Sequence, residues 1–187
     1  MTHVALDMRR VTWGVRACGV LLGALLVAAA AQVAIPLPGT PVPMTLQPMA
    51  VLLVGGLLGA PLGALSMILY LAMGAAGLPV FTPTVPLVGI ARLFGPTGGY
   101  LLAYPVAAYA VGAIIANGRS WPRAACGVLA GLVLIHLGGL AQLAILTGDL
   151  SAAARFGTWP FLLGDLLKLA VLVPLLTKLT PTIRARL

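Results

Sequence analysis

The sequence predicts an all-α membrane protein: six transmembrane helices in one bundle, N- and C-termini cytoplasmic, with long ordered outer loops 1 and 3. Three observations carry that reading. Of the 187 residues, 61% are hydrophobic and only 7% charged, where soluble domains carry about 25% charged residues. Mean hydropathy is +1.11. Apolar runs recur along the whole chain, parted only by short Pro- and Gly-rich breaks, and a span needs about 20 apolar residues. That leaves no room for a soluble domain, so residues 1–187 are read as a single integral membrane domain.

The runs lie at 12–34, 46–58, 62–78, 98–117, 124–147 and 160–179, with breaks such as "IPLPGTPVP", "GAPLG" and "NGRSWPR". The first run follows Arg9, Arg10 and Arg16 and ends in "AAAAQVA". Signal peptides share that pattern, but an apolar stretch approaching spanning length reads as a retained first helix. The second and third runs are ambiguous. As one helix, 46–78 would be about 50 Å long against a hydrocarbon core of about 30 Å. Positive charge decides the matter. Two spans there place Arg9, Arg10, Arg16, Arg119, Arg123, Lys178, Arg184 and Arg186 on one side, leave Arg92 and Arg155 on the other, and put Lys168 within a span. The basic side is then cytoplasmic; a single span would invert the later loops and erase the bias. Gly55, Gly59 and Gly63, like Gly127 and Gly131, recur every four residues and predict close helix packing.

A net charge of +8 would point to nucleic acid in a soluble protein. Here the basic residues flank apolar runs, where they fix orientation, and nucleic acid is excluded as a partner. Cys18 and Cys126 sit in different runs without metal-ligand spacing and are expected to pack as small hydrophobes. The chain has no Glu and no H-E-x-x-H, so no metal site is expected. Ser66 and His136 are the sole intramembrane Ser and His pair, but Ser66 falls in the cytoplasmic half without a G-x-S-x-G turn. An intramembrane hydrolase is set aside on that ground.

In this topology the polar side chains gather in the outer half. Gln32 ends span 1, Gln47 opens span 2, Tyr70 lies in span 3, Tyr100 opens span 4, Gln142 is late in span 5, and Asp165 and Lys168 open span 6. Three-residue spacing sets Asp165 and Lys168 on one helix face, with Phe161 a turn before and Leu172 a turn after. A charge facing lipid costs at least about 2.5–3.5 kcal/mol, so that face looks inward. The pair serves either as an ion pair fixing helix packing or as part of a ligand site open to the outside. In the second case Lys168 and Arg92 face an anion and Asp165 accepts ligand N–H groups. Loop 1, "IPLPGTPVPMTLQP", holds five prolines, which stiffen it into a lid or rim. Loop 3, "LPVFTPTVPLVGIARLFGPTGGY", is apolar and is expected to fold back over the bundle, where Phe81, Phe94 and Tyr100 would wall a pocket. Anchoring at the membrane interface is the other role open to Phe94.

Four motifs in order, "PLPGTPVPMTLQ" from Pro36 to Gln47, "GAPLGALSMILYLAMGAAGLPVF" from Gly59 to Phe81, "GPTGGY" from Gly95 to Tyr100 and "GDLLK" from Gly164 to Lys168, cover nearly the whole chain. In these the sequence resembles the BioY family, the biotin-binding S component of energy-coupling factor (ECF) vitamin transporters. The resemblance implies capture of biotin from outside under loops 1 and 3, in a prokaryotic inner (plasma) membrane. It also implies partners: a transmembrane coupling protein and two ABC-type ATPases that alone use ATP. No G-x-x-x-x-G-K-[ST] loop occurs in this chain, so it is a transport protein without its own ATPase motif and needs no cofactor.

On that resemblance Asp165 meets the ureido N–H groups of biotin, Lys168 the ureido oxygen or the carboxylate, and Arg92 the carboxylate. Tyr70 and Tyr100 stack or hydrogen-bond, and Phe81 and Gln47 complete the site. Family members carry a polar residue, often Asn, after the "G-x-P-V-F" element, where "TPTVP" follows here. S components also share an A-x-x-x-A pattern on span 1 that meets the coupling protein; Ala24 and Ala28 fit it, with Gly19 and Gly23 at the same spacing. The rival readings are a proton-coupled secondary carrier using His136 as a relay, an S component for another small anionic vitamin, and an assembly protein with a purely structural ion pair. Against the carrier stands the simpler role of a histidine satisfied by a neighbouring helix.

Overall fold

The computed structural model describes residues 2–115 and 120–187, with the side chains of 2–12 left out. Arg119 and the last two residues of the expected fourth span therefore lie outside the described residues, as do the side chains of Arg9 and Arg10.

Helix α1 runs Thr2–Gln32, α2 Gln47–Leu58, α3 Ala60–Ala75, α4 Ala91–Phe94, α5 Gly98–Ile115, α6 Trp121–Thr147, α7 Leu150–Gly157 and α8 Leu162–Arg184, with a 3₁₀ turn at Trp159–Phe161 before α8. Four segments, Trp13–Gln32, Gly98–Ile115, Trp121–Thr147 and Leu150–Arg184, are long and apolar enough to cross a membrane, while α2 and α3 are shorter apolar helices. The chain is a helical protein with several membrane-spanning helices.

The disputed 46–78 stretch breaks at Gly59, whose φ of 87° lies where residues with a Cβ are strained. Its N–H closes α2 on Gly55 O at 3.1 Å, and Pro61 occupies the first turn of α3, where a missing N–H costs nothing. The two helices then fold against each other. A Cβ at Gly63 would stand 2.7 Å from Gly55 Cα, and one at Gly55 would enter the Ala108 backbone of α5. Gly127 and Gly131 likewise face Ile115, Leu52 and Val111. The four-residue glycine spacing is thus a helix-packing device, as expected. Helix α2 becomes the centre of the bundle, touching α1, α3, α5, α6 and α8.

Departures from the sequence reading are local. Loop 1 is not wholly irregular: Ala34–Ile35 (β1) pairs antiparallel with Met44–Thr45 (β2), Ala34 opposite Thr45. The chain between them reverses at Pro38–Gly39, where Gly39 takes a φ of 80°. The connector before α8 contains α7, started by Asp149, whose Oδ1 accepts from Ser151 N at 2.8 Å. The last helix starts at Leu162 and runs to Arg184, beyond the expected end at 179. Cys18 and Cys126 are exposed on the outside of the bundle, not packed within it. That outside is a coat of large apolar side chains, among them Leu21, Leu22, Leu25, Leu129, Leu163, Leu166 and Leu167.

Connections meet at two ends. At one, Arg16 Nε donates to Leu187 O at 2.9 Å. There too Arg184 donates to Gly56 O at 2.7 Å and to Gly112 O at 3.0 Å, serving the C-terminal ends of both α2 and α5. Arg184, counted above as a loop charge, is thereby drawn into the bundle. At the other end loop 1, loop 3 and α7 join. Thr40 Oγ1 donates to Phe156 O at 2.6 Å, and Gln142 Nε2 donates to Leu93 O and Gly95 O at 3.0 and 2.7 Å.

Candidate ligand-binding site

Under loops 1 and 3 lies a cavity with about 620 Å³ of atom-free space including its mouth. Loop 1 and the start of α2 contribute Val42, Thr45 and Gln47; loop 3 contributes Phe81, Thr82, Arg92 and Thr97; α5, α6 and α8 contribute Tyr100, Tyr104, Ile135, His136, Asp165 and Lys168. Six of the seven expected ligand residues line it. The seventh, Tyr70, does not.

Asp165 is the hub of the polar wall. Lys168 Nζ donates to its Oδ1 at 2.9 Å, as three-residue spacing requires, and His136 Nε2 lies 2.6 Å from its Oδ2. The Nε2 of His136 thus finds its partner on a neighbouring helix. The ring of His136 also faces Tyr100 and Phe161, at centroid distances of 6.4 and 6.5 Å. Asp165 and Lys168 are both buried, at 7% and 8% exposure.

Arg92 is 2% exposed although it sits in a connector. Its Nη1 donates to Val85 O at 2.9 Å and its Nη2 to Thr82 O, so the guanidinium shapes loop 3 from within. Its Cζ stands 6.0 Å over the Phe81 ring. Burial lowers the pKa of Arg92 from its ordinary value, because the charged form loses water. Since Asp165 is matched by Lys168, Arg92 gives the cavity a surplus positive charge.

Two aromatic walls rest on glycines. The ring of Phe81 occupies the space a Cβ of Gly74 would need, and the ring of Tyr100 that of Gly139. Tyr100 Oη donates to Gly157 O of α7 at 2.6 Å. Tyr70 is 0% exposed. Its hydroxyl accepts from Gln47 Nε2 at 2.6 Å and donates to Val80 O at 3.2 Å, so it stands behind the wall and braces Gln47 and loop 3. Phe94 is 73% exposed and walls nothing; Arg92, two residues before it on the short α4, is buried in its place. Ala24 and Ala28 of α1 are buried inside the bundle, so in the isolated chain that small-residue face meets its own helices. Ser66 Oγ donates to Leu62 O at 2.9 Å and is absent from the cavity lining.

Three cavity residues hold a buried polar atom without a protein partner: Arg92 Nε, Thr97 Oγ1 and His136 Nδ1. Buried polar groups are ordinarily satisfied; away from the cavity Thr158 Oγ1 and Thr180 Oγ1 likewise have no protein partner. The arrangement offers cations for an anion, a fixed carboxylate for N–H donors, and apolar faces from Phe81, Leu132, Ile135 and Phe161. Among the described residues no group of His, Cys, Asp and Glu is placed to hold a metal.

The sequence matches the model of the BioY family over residues 5–185. The chain belongs to the BioY family. It is 41% identical to a protein named probable biotin transporter BioY from Pyrococcus horikoshii, over 71% of this chain and 77% of that one. It is 36% identical to the biotin transporter BioY of Thermotoga maritima, over 78% and 84% of the two chains. Among solved structures, the crystal structure of the S-component for biotin from an ECF-type ABC transporter superposes with a TM-score of 0.77 at 27% identity, covering 92% of both chains. This BioY chain therefore has the S-component fold.

His136, which the sequence reading leaves out of the ligand site, lines the cavity. A signal for it existed: Leu132, Ile135 and His136 share one face of α6 by helical spacing. What the sequence lacked was the adjacency of α6 and α8, which turns that face toward Asp165.

Proposed function

We propose that this chain captures biotin from outside the cell as the substrate-specific S component of an ECF-type ABC transporter. It is a transport protein and not an enzyme. The observation that carries the proposal is the cavity under loops 1 and 3 that Asp165, Lys168 and Arg92 line together with apolar walls, in a chain of the BioY family. Biotin combines a ureido ring with two N–H donors and a carbonyl, an apolar sulfur ring and a carboxylate tail. Asp165 takes the ureido N–H groups, Phe81 and Tyr100 flank the apolar rings, and the surplus charge of Arg92 favours the carboxylate. Lys168 serves the ureido oxygen or the carboxylate. Gln47 trims the mouth, held by Tyr70.

The molecule is placed in a prokaryotic inner membrane with six spans and both termini cytoplasmic. The alternation of connections between the two ends of the bundle supports that topology, as does the gathering of Arg16, Arg184 and Leu187 at one end. Trp13, Trp121 and Trp159, exposed near the ends of the apolar segments, suit the interfacial aromatic belt. A transmembrane coupling protein and two ABC-type ATPases supply the energy. Ala24 and Ala28 remain the proposed contact to the coupling protein, which requires α1 to shift and bring them out.

The test is equilibrium biotin binding to the purified chain in nanodiscs, beside a Lys168→Ala variant of matched thermal stability. Tight binding by the parent, weakened about 10- to 100-fold in the variant, is expected from the loss of a charge-assisted hydrogen bond worth about 1.5–3 kcal/mol. A folded parent that ignores biotin would sink the assignment.

A further inference from the structure

Why is a histidine spent on Asp165, when Lys168 already neutralises it? Asp165 Oδ1 accepts from the Lys168 ammonium at 2.9 Å, and a carboxylate held in an ion pair only accepts hydrogen bonds. The 2.6 Å contact between His136 Nε2 and Asp165 Oδ2 therefore requires the proton to be on Nε2. In the neutral ring Nδ1 is then a bare acceptor, and it is one of the buried atoms without a protein partner. The imidazole has little freedom, since it lies between the rings of Tyr100 on α5 and Phe161 ahead of α8.

Lys168 fixes one oxygen of Asp165 from the same helix. That single tie leaves the carboxylate free to rotate about its last bond. His136 holds the other oxygen from α6 and so fixes the carboxylate plane across two helices. We infer that His136 is the positioning residue of the site: as an Nε2–H donor it holds Asp165 in one orientation, so that the remaining lone pairs of the carboxylate are aimed at the N–H groups of the guest before it arrives. An acceptor fixed in advance spends less of the binding free energy on ordering. The inference rests on the biotin reading for its ligand and on the His136–Asp165 geometry alone for its tautomer.

Two measurements test it separately. The first compares biotin affinity in the parent, His136→Leu and His136→Gln, with thermal stability measured on each. Glutamine carries an amide N–H at about the reach of Nε2, whereas leucine fills space and donates nothing. Leu is expected to weaken binding about 10- to 100-fold, the range for loss of a hydrogen bond to a charged group, and Gln to recover at least tenfold of that loss. If folded Leu binds like the parent, or folded Gln binds as weakly as Leu, His136 acts by filling space and the inference is overturned. The second measurement needs no biotin: imidazole ¹⁵N shifts in protein labelled at histidine, with His3 replaced by Gln. A signal protonated at Nε2 is expected, and an Nδ1–H tautomer overturns the inference even if biotin binds. A parent that fails to bind biotin while showing the Nε2–H signal defeats the ligand assignment and leaves the positioning geometry standing.

Discussion

Lys168, Arg92 and Tyr100 show three ways in which one side chain can belong to a site. Lys168 faces the cavity and a helix-mate at once. Arg92 spends two arms on the backbone of loop 3 and keeps a third nitrogen free. A lysine in its place would offer one point charge where a planar fork now spans two carbonyls. Arg92→Lys is therefore expected to lower biotin affinity about tenfold and to speed cleavage of loop 3 by added protease, both measurable on the purified chain. Tyr100 uses its ring as wall and its hydroxyl as a tie to α7. Tyr100→Phe leaves Gly157 O unpaired, which should cost about 1 kcal/mol and lower the melting temperature by roughly 2–4 °C in a thermal shift assay. The sequence made the Asp165–Lys168 pair legible because both members lie on one helix, where spacing alone fixes their contact. It misplaced Tyr70 because depth along a helix says nothing about which side of a wall the hydroxyl reaches. His136 acquires its meaning from a partner 29 residues away.

Helices α2 and α3 are only 12 and 16 residues long, roughly 18 and 24 Å at 1.5 Å per residue. Short helices bury little side-chain surface, and here they compensate by bringing backbones together. Gly112 of α5 sits against the Gly59–Ala60 turn so closely that a Cβ would enter the backbone of Ala60. Gly112→Ala is expected to destabilise by about 1–3 kcal/mol, the range for overpacking. Gly14 of α1 has nothing within 4 Å of the same position, so Gly14→Ala should be neutral or gain up to about 1 kcal/mol from helix propensity. Opposite shifts of the two melting temperatures check the contrast. The glycine spacing and the "GAPLG" break could be read from sequence since both obey local rules. Helix α7 could not: its eight residues are too few to register as a span, and its burial rests on Ala153 and Gly157, small residues that carry little hydropathic signal.

The proposed topology, six crossings with both termini inside, predicts a direct labelling pattern. With Cys18 and Cys126 replaced by Ser, Thr84→Cys on exposed loop 3 should react with an impermeant maleimide on intact cells, and Lys178→Cys near the end of α8 only after permeabilisation. Reaction of both from outside would overturn the topology. Around the mouth of the bundle the irregular segments are held in a common manner. Thr40, Tyr70, Arg92, Tyr100 and Gln142 each donate a hydrogen bond to a main-chain carbonyl of a loop or of α7. A carbonyl is present whatever side chain stands there. The information that shapes the mouth is therefore stored in the donors, and the residues that receive them are at liberty to change. In a saturation library sorted for biotin capture, positions 85 and 156 should accept many amino acids while the donors accept few, so the mouth can be re-lettered along its rim without being re-shaped.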